Sequence, residues 1–483
     1  MLIKCSKYLT LTLVALVLFV VPTESSTINL PLLGDASSSS ISKQKEYELG
    51  RAWLKAYRSR IREHDDPFLR SYLKQLVYRL ATKSRLEDRR LEIIVVNNPT
   101  LNAFAVPGGV IGIHTGLFLF ARSEDELASV LAHEIAHLSQ RHFARRLDRQ
   151  KKNKVASMAG LLTSLVLAAT VGSDAGMAGL SATQAMGKNT ALRYSRQNER
   201  EADRLGLQTM VASGMNPSAM STMFEGMLKL TRFTSSKVPE FLRSHPLTQD
   251  RVVDAKNRIN QLKIKDYSDN FEFHLMRARA IIAINENPSI SLNYFKSELL
   301  DAEKNSSAAL YGIVLSYIES RNYSKAKESL EKLLKKSPND LHYKMAEIEI
   351  YRNEKKYDIA IKKTKALLEQ QPDNYPLRMS LAETYLKANR FFDSEKTLNS
   401  LKNSHPENPE VWFQLAEIRG LAGNIPGVHK ARAEYFILIG VFDQARDQLL
   451  YARKLLLHDY KQKLIIDQKI KNLDQLEKDM RSL

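Results

Sequence analysis

The sequence predicts an α+β domain over residues 27–265 followed by an all-α repeat solenoid over 266–483, behind a short targeting segment at 1–26. Three observations carry this. Leu91–Val96 (LEIIVV) reads as a buried strand, followed by two extended pieces around Pro107-Gly108-Gly109. Apolar residues then recur at helical spacing from Leu127 to Leu138. Beyond residue 300, prolines, aromatics and small residues recur every 34 positions. With 483 residues and 43% hydrophobic content, the chain is too long for one ordinary core. At 26% charged it has the composition of a folded protein rather than a disordered one.

The segment at 1–26 combines Lys4 and Lys7 with an apolar run, Leu9–Val21, broken only by Thr10 and Thr12. Pro22 and the small polar residues Ser25, Ser26 and Thr27 follow. This is the order of a secretory signal peptide, and the run is short for a membrane span; the alternative is an uncleaved anchor. The single cysteine, Cys5, lies before the apolar run and leaves with it if cleavage falls near Ser25, so neither disulfide nor thiol chemistry is expected of the mature chain. The net charge of +18 is scattered along helices. With an export signal in front, it fits an anionic membrane surface or an acidic partner better than nucleic acid.

Residues 27–40 are Ser-rich, and helical patterns run from Ile41 to Ser84. Phe104–Val106 and Val110–His114 are the two extended pieces. Ser123 with Glu126 three residues on forms a capping box for the next helix. A further helix is expected from Ser195 to Ser213, closed by Gly214, and Pro217 opens another. Between the two lies Val155–Ser173, uncharged and long enough to span a bilayer. Its Ala, Gly, Ser and Thr content makes a weak membrane segment, and the only return path, Ala175–Gly187, is too short. A helical hairpin packed on the domain, with a peripheral membrane contact, is the expectation.

In the last 200 residues Pro338, Pro372 and Pro406 keep a 34-residue step, as do Tyr323, Tyr357 and Phe391, and Ala326, Ala360 and Ser394. Leu381-Ala382-Glu383 recurs as Leu415-Ala416-Glu417, and another helical pair near Ala433–Leu456 is shifted in register. Small residues let paired helices approach, and the proline ends each unit. The pattern resembles tetratricopeptide repeats, which implies a continuous solenoid from Asn270 to Leu457 with a concave face for peptides or proteins. A purely spacing role is the alternative.

The chemistry concentrates in His133-Glu134-Ile135-Ala136-His137, an HExxH motif on the capped helix. Histidines at i and i+4 share a face, so both imidazoles can reach one metal ion. Glu134 lies about 100° round the helix, free to act on a water rather than ligate. Two imidazoles, a carboxylate and an open position suit catalytic zinc, one ion per chain. The carboxylate is expected on the second helix, where Asn198-Glu199-Arg200-Glu201-Ala202-Asp203 offers three. Glu199 and Asp203 share a face, so Glu199 is expected to bind metal while Asp203 orients a ligand imidazole, with Glu201 pointing elsewhere. His142 is read as a surface histidine. The bland alternative for the whole cluster is a solvated charged helix.

HEIAH followed by NEREADRLG, with NAFAVPGG before it and Ser244-His245-Pro246 after it, resembles the M48-type (Ste24/HtpX-like) gluzincin metallopeptidases. The resemblance implies a zincin-like fold, zinc on His133, His137 and Glu199, and a catalytic Glu134. In that family the position of Asp203 is sometimes assigned as proton donor. His245 would either stabilise the oxyanion or fill the open metal position and hold the enzyme inactive; otherwise it is a turn histidine before Pro246. Arg251 could assist nearby. With the export signal and the repeats, the chain is similar to periplasmic members of Gram-negative bacteria. This implies an endopeptidase acting on unfolded or misassembled outer-membrane proteins and docking on the β-barrel assembly machinery. Val110–His114 is expected to pair with a substrate strand. Two further readings stay open: a periplasmic chaperone or scaffold with secondary proteolysis, and an integral-membrane peptidase if Val155–Ser173 crosses the bilayer.

Overall fold

Two helices open the domain, α1 (Lys43–Arg58) and α2 (Pro67–Lys83), and the cap chemistry at each start is visible in the sequence. Ser42 accepts from the Lys45 N–H, and Asp66 accepts from Phe68 and Leu69, with Pro67 supplying a first-turn residue that needs no partner. Leu69, Leu73, Leu76 and Leu80 form one buried face of α2. This is a computed structural model, and it describes residues 41–146, 194–233, 239–263, 265–301 and 306–482. The expected signal peptide, the Ser-rich stretch and the hairpin expected at Val155–Ser173 lie outside the described residues. Among the described residues no helix is long and apolar enough to cross a membrane.

The sheet holds β1 (Glu92–Val96), β2 (Ala103–Val106) and β3 (Val110–His114) in the order β1-β3-β2. β3 pairs parallel with β1 (Val95 opposite Ile113) and antiparallel with β2 (Ala105 opposite Ile111). Gly108 and Gly109 turn the chain at φ near 80°. Gly112 is needed where the Phe104 ring lies across β3, since a Cβ there would fall 2.1 Å from the ring. The expectation that Val110–His114 pairs with a substrate strand is corrected: β3 is the central strand, and its backbone is taken on both sides. The outer edge next to the following helix belongs to β2.

The short helix α3 (Leu117–Phe120) leads into α4 (Glu124–Ser139), capped by Ser123 as expected. The Glu126 carboxylate accepts the Arg122 N–H at 2.7 Å rather than that of Ser123, so the reciprocal bond is displaced by one residue. α5 (Arg196–Ala212) packs along α4, and Gly206 sets the spacing: a Cβ there would meet the His133 backbone at 3.2 Å. The domain closes with α6 (Ser218–Phe233), α7 (Glu240–Ser244) and α8 (Gln249–Asn260).

The repeats run as α9 (Phe271–Ile284), α10 (Pro288–Asp301), α11 (Ser306–Glu319), α12 (Tyr323–Lys336), α13 (Leu341–Asn353), α14 (Tyr357–Gln370), α15 (Tyr375–Lys387), α16 (Phe391–Ser404), α17 (Pro409–Leu421), α18 (Ile425–Leu438), α19 (Phe442–Leu455) and α20 (Tyr460–Ser482), each packed on the next. The small residues Ala326, Ala360 and Ser394 are fully buried, as close helix pairing requires. Arg321, Lys355, Asn389 and Gly423 stand at one repeat position in left-handed conformation, the reversal that ends the first helix of each pair.

The described residues form one compact unit, and one core runs from Phe68 in α2 to Leu377 in α15. Phe118 stacks on Phe273, and Arg279 of α9 reaches Asp66 at 2.7 Å, Tyr311 at 3.0 Å and the Phe68 ring. The array returns to α1 at its far end, where Met480 packs on Leu49 and Ala52 and Gly440 lies against the Lys55 carbonyl.

Asp66 therefore caps α2 and anchors the repeats at once. Burial works to raise its pKa, but Arg279 and the Leu69 N–H overcome this and hold it below its ordinary 3.8. Asp66→Ala should cost about 2–4 kcal/mol, the loss of a cap plus a stranded arginine. Asp66→Asn, which keeps the cap, should cost less. Because the folded pKa is depressed, the contribution is full above the ordinary carboxylate range and is lost as pH falls through the depressed value. Urea unfolding at pH 7 and near pH 3 checks it; an Asn variant as stable as wild type at pH 7 would contradict the ion pair.

Candidate metal centre

His133 and His137 lie one turn apart on the buried face of α4, and their Nε2 atoms stand 3.0 Å apart. Glu199, in the first turn of α5, places Oε2 3.5 Å from His133 Nε2 and Oε1 3.5 Å from His137 Nε2. His245 ends α7 and puts Nδ1 3.3 Å from His133 Nε2 and 3.2 Å from Glu199 Oε1. All four side chains are buried, and their donor atoms lie within 4.8 Å of one another. Nitrogen and oxygen donors bound tetrahedrally at about 2.0–2.1 Å lie about 3.3 Å apart along each edge. The observed separations match that figure, so the residues fit a single ion.

The surrounding polar groups fix this donor set. Asp203, one turn beyond Glu199, stands 2.9 Å from His133 Nδ1. Arg251 of α8 grips Asp203 through two nitrogens at 2.7 Å, reaches Glu199 Oε2 at 2.9 Å and donates to the Pro246 carbonyl at 2.8 Å. One guanidinium thus ties Glu199 and Asp203 of α5 to the turn that carries His245. Helix α7 is in turn held to the sheet side by the Phe241 N–H on the Leu101 carbonyl and by Asn102 donating to Glu240 at 3.1 Å.

Burial opposes charge on His133, yet Asp203 and Glu199 overcome it and lift its pKa to about 9. Burial also disfavours the Glu199 carboxylate, but His245 and His133 hold it well below the usual range. The pocket thus favours a cation among its imidazoles. Glu134 lies beside the donor set, its Oε1 without a hydrogen-bond partner and 3.4 Å from His245 Nε2. Burial pushes its carboxyl up, with His245, His133 and the Ala105 N–H pulling the other way. That N–H belongs to β2, so the edge strand runs directly past Glu134.

The structure brings together every expected site residue, His133, Glu134, His137, Glu199, Asp203 and His245, and gives Arg251 a definite place. Glu201 points away from the donor set, as expected. His142 is corrected: it is not at the surface but fully buried. Arg141 takes a left-handed φ of 51°, which turns the chain back beneath the end of α4. His142 Nδ1 stands 2.8 Å from His137 Nδ1, and its Nε2 3.2 Å from Glu201 Oε2. Tyr194 and Phe241 were not singled out in the sequence. Their rings stack on the two sides of His245, and Tyr194 also covers His137 at 4.1 Å between centroids. Aromatic residues carry no spacing signal of this kind.

An HExxH helix, a glutamate on a second helix and a small mixed sheet define a zincin-like metal-binding domain, here joined to a tetratricopeptide solenoid. Residues 67–259 match the model of peptidase family M48, and 308–340 and 352–418 match tetratricopeptide-repeat models. The chain is 35% identical over 323 residues to the beta-barrel assembly-enhancing protease of Escherichia coli O157:H7, covering 66% of this chain and 65% of that one. It is 33% identical over 335 residues to the protein of the same name from Yersinia pestis, covering 67% of each. A 216-residue stretch is 28% identical to the mitochondrial metalloendopeptidase OMA1 of Schizosaccharomyces pombe, 44% of this chain and 60% of that one. The chain belongs to peptidase family M48; its match spans 65% of the length of the E. coli relative.

Glu199→Gln should weaken divalent-metal binding by more than about 100-fold, and Asp203→Asn by about 10–100-fold, the usual cost of an outer partner. Chelator competition on the full chain measures both. Equal affinity in wild type and Glu199→Gln would remove Glu199 from the donor set.

Proposed function

We propose that this chain is a zinc metalloendopeptidase of the Gram-negative periplasm that degrades misassembled outer-membrane proteins and assists their assembly. The observation that carries the peptidase reading is the donor set of His133, His137 and Glu199 at tetrahedral-edge distances, with Glu134 buried beside it. A d10 ion with mixed nitrogen and oxygen donors is the chemistry this set suits. What bound zinc supplies there is Lewis acidity and a water of lowered pKa.

The residues divide the remaining work. Glu134 takes the proton of the attacking water and passes it to the leaving amine, a task its burial-raised pKa suits. Asp203 and Arg251 hold His133 and Glu199 in place. Substrate in extended form adds to the outer edge of β2, where the Ala105 N–H meets Glu134. His245 would complete the donor set through Nδ1, while its Nε2 stands 3.4 Å from Glu134 Oε1, where an attacking water would have to lie. The arrangement is a resting one, and His245 has to swing out from between Tyr194 and Phe241 before hydrolysis begins.

The names of the E. coli and Yersinia relatives support the outer-membrane role, and the sequence pattern of residues 1–26 supports export. A second reading, a scaffold whose solenoid holds assembly components, is supported by the tetratricopeptide match. In that case Glu134→Gln keeps its crosslinks to outer-membrane assembly components and still supports assembly.

Glu134→Gln should bind zinc normally and lose proteolysis of an unfolded substrate by at least about 100-fold, since the base alone is removed. Zinc content beside casein cleavage decides it; near-normal cleavage contradicts the role. His245→Ala should raise cleavage, because it opens the fourth position. A fall in kcat would instead favour oxyanion stabilisation by His245.

A further inference from the structure

We propose that His142, backed by Glu201 and Arg145, is the positioning group of His137, fixing its tautomer and turning its Nε2 into the metal centre. This rests on the reading of His133, His137 and Glu199 as metal ligands. The nitrogen of His137 that belongs to the donor set is Nε2, 3.0 Å from His133 Nε2. A neutral imidazole that gives its Nε2 lone pair to a metal carries its proton on Nδ1. That nitrogen stands 2.8 Å from His142 Nδ1, so His142 accepts there. Its own proton must then lie on Nε2, which faces Glu201 Oε2 at 3.2 Å. Arg145 donates to the same carboxylate oxygen at 3.0 Å. Each assignment forces the next, from the metal outwards to the carboxylate.

The two ligand rings are therefore oriented by different devices. His133 meets the carboxylate of Asp203 directly at 2.9 Å. The outer nitrogen of His137, Nδ1, reaches a carboxylate through the ring of His142. The backbone is built for this second arrangement. After Gln140 ends α4, the left-handed Arg141 reverses the chain, its N–H bonded to the Leu138 carbonyl. Its guanidinium is pinned on Glu46 of α1 at 2.8 Å. Arg145 bonds back to the Arg141 carbonyl, so a new helical turn starts with His142 at its buried side. Tyr194 lies against His137 and His142 together. Glu201, which contributes no atom to the donor set, thereby gains a role one step removed from it.

A histidine that merely packed here could be exchanged for another ring. A positioning histidine requires an acceptor at the place of Nδ1. The test uses the full chain stripped of metal, then titrated with Zn2+ against a chelator and with Co2+ by visible absorption. His142→Phe, which keeps a ring but no acceptor, should weaken Zn2+ binding by about 10–100-fold and alter the Co2+ bands. His142→Asn, whose Oδ1 falls where Nδ1 stands, should restore most of the loss and the wild-type spectrum. Glu201→Gln should lie between them, and it carries the test if metal-free His142→Phe does not fold. Unchanged affinity and spectrum in His142→Phe, or in Glu201→Gln where that variant decides, would overturn the relay while leaving the metal centre intact. A wild-type chain that binds neither ion would overturn the metal centre itself, and the relay with it.

Discussion

The close approach of α4 and α5 at Gly206 is the constraint on which the site depends. Helices with ordinary side chains at the contact lie 8–10 Å apart. Here a single absent Cβ lets the backbone of α5 rest against Ala132 and His133. That contact delivers Glu199, two turns back along α5, to the imidazoles and Asp203, one turn back, to the outer nitrogen of His133. Leu127, Leu131 and Ile135 secure α4 from the other side in the main core. Three of the four donors, His133, His137 and Glu199, thus sit on two helices rather than on loops, which suits a site whose geometry must hold within fractions of an ångström.

Charge holds the rest of the arrangement. Glu134, Glu199 and Asp203 share one buried pocket and, among the described residues, one guanidinium within it, that of Arg251. Buried carboxylates of this density need cations within reach. Arg251 supplies one, tying α5 to the turn at Pro246; a divalent ion among the four donors would supply the other. The same linkage gives His245 its position, because the carbonyl that Arg251 grips is that of the next residue. Glu199, Asp203 and the turn that carries His245 are consequently coupled through one side chain on α8.

Local features of this protein were legible in its sequence, and non-local ones were not. The caps at Ser123 and Ser195, the Pro107-Gly108-Gly109 turn and the HExxH face are fixed by neighbours a few residues apart. The 34-residue step was legible because each repeat makes the same contacts, down to the buried Ala326, Ala360 and Ser394. The place of Val110–His114 was not, since the parallel pairing of β3 with β1 joins segments separated by β2, and alternation alone does not say which strand is central. His142 was misread because its burial depends on a left-handed arginine, a conformation for which Arg141 gives no signal. Tyr194 and Phe241 enter the site only through the placement of His245. The return of the array to α1 at Gly440 and Met480 depends on curvature summed over many repeats.

The central claim is that one ion lies among His133, His137, Glu199 and His245. The most direct measurement is an anomalous difference map from zinc-loaded crystals, with data collected on both sides of the zinc absorption edge. The account predicts one strong peak about 2.0–2.3 Å from His133 Nε2, His137 Nε2, a Glu199 oxygen and His245 Nδ1. No peak there, or a peak that leaves out Glu199, would contradict it.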